Sequence, residues 1–424
     1  SMCAQSGCAA LLAVPELLPS LIGEVLSALS PTVATSPAAA QTMLSALMRL
    51  IILLPPADLA PALQVITSPL LSQLPLTLEL LASSSAKVPE SRLQEVICLL
   101  QLLKCVIRYL DGAPQLTDGT HAACYVLQLA WPSLQAMHDV AALHVAVSVP
   151  LCDVFVSTMR AGGIAMSARV PELLSALEAM LAAYFSPRGE LSQGGSEGAC
   201  VVLQAMSTAV ECFGSITDLR RHVELLLCRT SSSISVPFAR SAQLAEAPEV
   251  AAAYLDLIYR SALFCCNVLF SHPQVLTSTL ELLVPCLRHG QRELLRSACS
   301  LLARLSSATE VMQLSLHLES LREHLVGALL AAIAGHATVE LLPRVADALR
   351  TLLQLCSQDH LARALMAEPC GALVGVEAKQ QLVRAALELL DDPRSFRAMV
   401  CDFSALCRAS SFPPRDVMQT TYFL

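Results

Sequence analysis

The sequence contains little glycine, few aromatic residues and few charged residues. Its 424 residues include 16 glycines, 4% aromatic residues and 15% charged residues. Alternating runs of β-branched residues are also scarce, so the sequence gives little support to β-sheet. The hydrophobic residues make up 54% of the chain. Because leucine and alanine dominate among them, they predict many helices that are buried on more than one face.

Sequence motifs of the common enzyme families are missing as well. The chain has no phosphate-binding loop, dinucleotide fingerprint, nucleophile elbow or kinase signature. His317 and His324 lie seven residues apart, but no further ligands accompany them, so solvated or core histidines explain them better than zinc. Asp391 and Asp392 precede Pro393, where helix capping and turn formation explain them. We therefore expect no enzymatic activity, no metal and no cofactor.

The 17 cysteines lack any Cys-x-x-Cys spacing. They fall inside helical patterns, as Cys98 and Cys105 do one heptad apart, and Cys265 and Cys266 form the one adjacent pair. Buried reduced thiols that act as small hydrophobic side chains explain this distribution. The cysteines therefore predict an intracellular protein without a disulfide framework.

The high hydrophobic fraction raises the alternative of a membrane protein. The longest apolar runs are interrupted by charge, however, since residues 43–54 include Arg49 and residues 96–110 include Lys104 and Arg108. A membrane-spanning helix needs roughly 20 predominantly apolar residues, so we expect no membrane insertion. The net charge of −8 disfavours direct nucleic-acid binding, which needs a basic surface. It favours basic protein partners instead.

A repeated helix start is abundant in this sequence. Val14–Leu18 reads Val-Pro-Glu-Leu-Leu and returns unchanged at Val170–Leu174. Proline suits the first turn of a helix, because its missing N–H would have no intrahelical partner there. Related segments predict further helix starts at Trp131-Pro132, Val284-Pro285 and Leu342-Pro343.

Apolar positions at helical spacing pair into about eight repeats of roughly 40 to 50 residues, the period of HEAT and armadillo repeats. We therefore predict an all-α fold, an α-solenoid of helical hairpins that forms a single arch over residues 1–424. Two stretches rich in glycine or serine, 186–197 and 230–246, predict flexible loops. Solenoids present extended surfaces, so the architecture favours a protein that binds partners.

Basic residues are the best candidates for such binding. Arg288, Arg292 and Arg296 fall at positions i, i+4 and i+8, which predicts a basic stripe that could hold carboxylate or phosphate groups bidentately. The alternative is a solvated helix face on which these arginines pair with Glu281 or Glu293.

Four segments, taken in order, resemble one family. They are Ala130–Leu134 with its Trp-Pro pair, Pro248–Arg260, His289–Glu293 and Asp402–Arg408 near the end of the chain. In order and spacing they resemble the β-karyopherins, in the branch that includes transportin-SR and importin thirteen. The matches extend over most of the chain, and their order is more specific than any one of them.

The resemblance implies the carboxy-terminal half of a longer nuclear transport receptor. In that family the amino-terminal half supplies the main Ran-GTP surface, and the carboxy-terminal arch helps to grip protein cargo. The cargo includes serine/arginine-rich splicing factors and other RNA-associated proteins, and FG-nucleoporins are further partners. Cargo release would follow Ran-GTP binding, and the receptor would shuttle between cytoplasm and nucleus.

One departure from the family concerns phosphorylated Arg-Ser cargo. Transportin-SR binds it with several arginines on the helix after the Trp-Pro helix, whereas Val145–Arg160 here retains only Arg160 and carries Asp153. Each lost charge-assisted hydrogen bond is worth roughly 1.5 to 3 kcal/mol. We therefore expect Arg160 to contribute to partner binding without that phosphopeptide mode.

Two alternatives remain open at this point. A static HEAT-repeat scaffold subunit of a multiprotein complex would keep its partners regardless of nucleotide state. An enzyme carried on a helical solenoid would need a clustered polar pocket.

Overall fold

The computed structural model shows helices throughout its described elements, which confirms the all-α part of the predicted fold. In the described part of the chain, β-structure is limited to two isolated bridges, Gln115 with His121 and Phe185 with Leu191. The structure describes residues 16–29, 36–83, 90–186, 190–192, 194–240, 242–306, 318, 320–355, 358–367 and 376–411.

The chain divides into two compact units. The first comprises residues 1–186 and 191–222, and the second comprises residues 187–190 and 223–424. The described helices of the first unit are α1 (Leu17–Leu29), α2 (Pro37–Ile51), α3 (Pro56–Ser83), α4 (Glu90–Arg108), α5 (Ala122–Leu143), α6 (Val145–Gly162), α7 (Val170–Ala183) and α8 (Ser196–Phe213).

The helices of the first unit pack in two rows. In one row α2 packs on α4, α4 on α6 and α6 on α8. In the other row α1 packs on α3, α3 on α5 and α5 on α7. The pairs α1–α2, α3–α4, α5–α6 and α7–α8 join the rows. Each helix therefore buries one face against its own row and another against its hairpin partner.

The second unit repeats this packing. Its described helices are α9 (Arg220–Arg240), which belongs to this unit from residue 223 onward, α10 (Gln243–Glu246), α11 (Pro248–Phe264), α12 (Cys266–Ser271), α13 (Pro273–Arg288), α14 (Arg292–Ser306), α15 (Arg322–Ala331), α16 (Leu342–Leu353), α17 (Gln358–Ala367), α18 (Val376–Glu388) and α19 (Pro393–Ser411). One row runs through α11, α14, α16 and α19, and the other runs through α13, α15 and α17.

Proline opens several helices, as the sequence predicts. Pro171 lies in the first turn of α7 and Pro343 in the first turn of α16. Pro37 opens α2, where the Ser36 side chain accepts a hydrogen bond from the N–H of Ala39 at 3.3 Å. These positions cost the helix no internal hydrogen bond. Pro15 lies outside the described residues.

Two of the predicted helix starts are wrong. Pro132 lies inside α5 and Pro285 lies inside α13. An interior proline removes a backbone hydrogen bond and costs about 3 kcal/mol. The buried side chains of α5, such as Leu127 before the proline and Leu134 after it, are fully shielded from solvent. Since each buried leucine stabilises by about 1.5 to 3 kcal/mol, burial on both sides outweighs the proline.

The predicted loop at 230–246 is also wrong, because α9 covers most of it. The hydroxyls of Ser232 and Ser233 donate to a backbone carbonyl one turn earlier, at 2.8 and 3.0 Å. The buried hydroxyl of Ser231 lies 2.9 Å from that of Ser278 on α13. The serines therefore find partners within the helical fold and do not interrupt the helix.

The other predicted loop, 186–197, is a connection between α7 and α8. The N–H of Ser192 donates to the carbonyl of Tyr184 at 2.8 Å, and the N–H of Gly195 donates to the carbonyl of Ser192 at 2.8 Å. Gly194 has a φ of +76°, in the left-handed region that favours glycine. The flexibility of this loop and the single arch over 1–424 stay predictions.

Candidate functional site

The predicted basic stripe is divided between two helices. Arg288 is the last residue of α13, and Arg292 is the first residue of α14. Only Arg292 and Arg296 therefore keep the i, i+4 relation of a single helix face. All three side chains are exposed on the second unit.

Two of these arginines are paired with glutamates. Arg292 lies 2.6 Å from a carboxylate oxygen of Glu340, and Arg296 lies 2.7 Å from one of Glu293. The Glu293 pair follows the alternative that the sequence offered, whereas Glu340 comes from a later part of the chain. Exposed pairs of this kind contribute about 0 to 1 kcal/mol and exchange partners easily. The stripe therefore has little positive charge to spare unless an acidic partner displaces the glutamates.

Arg160 lies in the last turn of α6 in the first unit, where it is exposed. The acid on the same helix, Asp153, is held by Lys104 of α4 at 2.5 Å. Because the Lys104 charge is committed to this pair, α6 presents one cation and a neutralised carboxylate. Several arginines would be needed to hold a phosphorylated Arg-Ser segment bidentately.

The described cysteines are all free thiols, including the adjacent Cys265 and Cys266. Burial raises the pKa of Cys265 to about 11 and that of Cys299 to about 12. These thiols stay protonated and unreactive at neutral pH. Cys98 and Cys105 are half-buried on α4.

The acid and histidine positions singled out from the sequence have ordinary surroundings. His324 is exposed near the start of α15, and His317 lies outside the described residues. The Asp392 carboxylate caps α19 by accepting from the N–H groups of Arg394 and Ser395 at 3.0 and 3.3 Å, which confirms its predicted capping role. Among the described residues no group of three or more histidine, cysteine or acidic side chains could hold a metal ion.

One cluster that resembles a catalytic site was not identified from the sequence. The Cys228 thiol lies 3.7 Å from Nδ1 of His272, and Nε2 of His272 lies 3.9 Å from the Glu224 carboxylate. Burial and the Glu224 charge raise the pKa of Cys228. A nucleophilic cysteine needs a lowered pKa, so this arrangement favours a protonated thiol. Glu224 and Cys228 lie four residues apart on α9, whereas His272 lies between α12 and α13, so no spacing in the sequence predicts that it meets them.

One stretch of helix, Val145–Ala183, is long and apolar enough to span a membrane by length and composition alone. Within it, 61% of the apolar window is buried inside the protein. The stretch is not one continuous α-helix, because φ at Gly163 is +47° and a 3₁₀ segment separates α6 from α7. Packing within the first unit thus accounts for its apolar character.

No protein-family model matches this chain, and no curated protein matches it.

Proposed function

We propose that the chain is an α-solenoid of about eight helical hairpins of the HEAT or armadillo type. The support is the packing within each unit, where a helix contacts its hairpin partner and the next helix of its own row. Contacts limited to near neighbours are characteristic of repeat proteins.

Polar links between neighbouring helices of a row support the same repeat length. They join residues 60, 49, 44 and 50 positions apart: Gln41 with Gln101, Lys104 with Asp153, Ser300 with Arg344, and Asp347 with Arg397. The separations of 49, 44 and 50 fall within the roughly 40 to 50 residues expected of one repeat. The separation of 60 between Gln41 and Gln101 is longer. Each link is thus a contact between corresponding helices of successive hairpins.

For this solenoid we propose the role of a cargo-binding, carboxy-terminal region of a nuclear import receptor of the β-karyopherin type. The observation that carries the proposal is the order of four family-like segments along the chain, from the Trp-Pro pair to the last helix. The receptor would shuttle between cytoplasm and nucleus, bind protein cargo, and contact Ran-GTP mainly through an amino-terminal half. The phosphorylated Arg-Ser mode is left out of the proposal because Asp153 is paired and Arg160 is alone on α6.

The mechanism follows from packing between neighbours. Small changes in the angle between successive hairpins add up to a change in superhelical pitch. Ran-GTP and cargo that prefer different pitches weaken each other's binding, and this coupling is necessarily reciprocal. Ran-GTP that binds far from the cargo can therefore release it without any chemical step in this chain.

The test is a pull-down from cell extract with the natural gene product that contains this chain. Bound proteins are identified by mass spectrometry with and without excess Ran locked in its GTP state. We expect a set of partners that leaves when Ran-GTP is added. Partners that stay regardless would instead identify a static HEAT-repeat scaffold and overturn the import proposal.

A further inference from the structure

Arginine recurs in the last turn of the helices that form one row of the first unit. Arg49 occupies this position in α2, Arg108 in α4 and Arg160 in α6. A cation near a helix C-terminus interacts favourably with the helix dipole. That general effect explains why arginine is acceptable there, but it leaves the guanidinium groups available for other partners.

The second unit has arginines at the same position, where they serve the fold. They lie in the last turns of α14, α16 and α19, and all three are half-buried. Each donates to a backbone carbonyl of a neighbouring element: Arg304 to Ala262, Arg350 to Leu390 and Arg408 to Ala337. The guanidinium groups thus satisfy carbonyls near the ends of neighbouring helices.

The arginines of the first unit differ in their surroundings. All three are exposed, and Arg108 and Arg160 make no hydrogen bond or ion pair with the residues that the structure describes. Arg49 lies over the Tyr109 ring, with its guanidinium carbon 5.7 Å from the ring centroid. Glu211 on α8, the last helix of this row, lies near Arg160, since the charges of both side chains act on the Cys212 thiol. The same position therefore serves the fold in the second unit, whereas in the first unit Arg49 is held by Tyr109 and Arg108 and Arg160 make no such bond with the described residues.

Side-chain contacts place these arginines along one edge of their row, where α2, α4 and α6 end. Gln41 contacts Gln101 and Ser45 contacts Cys105, so α2 and α4 lie side by side with a constant offset that also places Arg49 beside Tyr109. α4 and α6 run in the same direction because the return helix α5 separates them. The pair between Lys104 and Asp153 fixes their register, and both arginines follow that pair along their helices.

Neighbouring helices of a row lie about 8 to 10 Å apart. An extended peptide advances about 3.3 Å per residue, so acidic residues spaced three apart match the step from one arginine to the next. Three separated cations in an otherwise acidic chain suit a few spaced carboxylates better than a nucleic-acid backbone, which carries one charge about every 1.7 Å of duplex.

We propose that the last-turn arginine row of the first unit, formed by Arg49, Arg108 and Arg160, binds an extended acidic peptide segment with aspartate or glutamate at every third residue. The fork of each guanidinium holds one carboxylate, and Tyr109 keeps Arg49 in position. This inference does not depend on the import-receptor proposal, because it concerns direct binding that needs no Ran.

The test uses the 424-residue chain and a fluorescein-labelled peptide in which Glu-Gly-Ser is repeated four times. Fluorescence anisotropy measures its affinity, with Gln-Gly-Ser repeats as the uncharged control peptide. The double variant Arg108→Gln/Arg160→Gln should bind the acidic peptide about tenfold or more weakly, as expected for losing two charge-assisted contacts. Arg108→Lys/Arg160→Lys should give an intermediate affinity, because lysine keeps the charge without the fork.

The matched control is Arg92→Gln/Arg169→Gln. Both arginines lie on the first unit, where Arg92 is exposed and Arg169 is half-buried, and each is paired within its own turn, with Glu95 or with Glu172. The control should bind like the original chain, and thermal melting should show both double variants folded. Equal binding by all variants, no preference for Glu-Gly-Ser over Gln-Gly-Ser, or tighter binding of a single-stranded RNA of equal charge would overturn the proposal.

Discussion

At the residue scale, Gly198 is required by the close approach of Tyr184. A Cβ atom at Gly198 would lie 2.4 Å from Cζ of the Tyr184 ring. That ring is buried and its hydroxyl bonds with Ser148, so it has little room to move. We expect Gly198→Ala to lower the free energy of unfolding by about 1 to 3 kcal/mol, the usual cost of overpacking. Urea denaturation, followed by a signal from the first unit, measures this change in the free energy of unfolding.

Gly23 is the matched control for this substitution. It also lies within a helix, α1, but nothing lies within 4 Å of the position of its Cβ atom. Gly23→Ala should therefore raise stability by about 0.5 to 1 kcal/mol through helix propensity alone. If Gly198→Ala stabilised the protein as Gly23→Ala does, the close contact with Tyr184 would be refuted.

The same scale shows where reasoning from sequence ends. The capping role of Asp392 and the Glu293 partner of Arg296 could be predicted because they depend on residues three positions away. The pairing of Arg292 with Glu340 could not be predicted, since nothing local specifies a partner on a different element. The Cys228 cluster escaped for the same reason.

At the element scale, the helical state of the serine run in α9 can be tested directly. Ser232 is exposed within this helix. Ser232→Pro should reduce the free energy of unfolding by about 3 kcal/mol or more, because proline removes a hydrogen bond and clashes with the preceding turn. Ser232→Ala should change stability by less than about 0.5 kcal/mol. Chemical denaturation of the two variants compares them, and a well-tolerated proline would restore the loop interpretation.

Most helices of this chain could be predicted from apolar spacing, because each buries a continuous face against its row. The errors occurred where local preference and burial disagree. The serines of α9 favour a turn by composition, and Pro132 and Pro285 favour a helix start, but packing on both sides keeps these helices continuous. Local preference is worth a fraction of the free energy that several buried leucines contribute.

At the scale of the whole molecule, the neighbour-limited contacts predict unfolding in stages. If each hairpin is stabilised only by the next, the chain has no single core that must melt at once. We expect the calorimetric enthalpy of unfolding to exceed the van't Hoff enthalpy about two-fold or more. Differential scanning calorimetry of the 424-residue chain provides both values, and a ratio of one would contradict the solenoid.

The free thiols distributed along both units make the protein its own reporter of local opening. Cys152 in α6, Cys286 in α13 and Cys299 in α14 are almost completely shielded, and burial raises the pKa of each. A maleimide reagent can alkylate such a thiol only after its helix separates from its neighbours. The order in which these cysteines become labelled in mild denaturant would therefore record, without any engineered probe, which hairpin unfolds first.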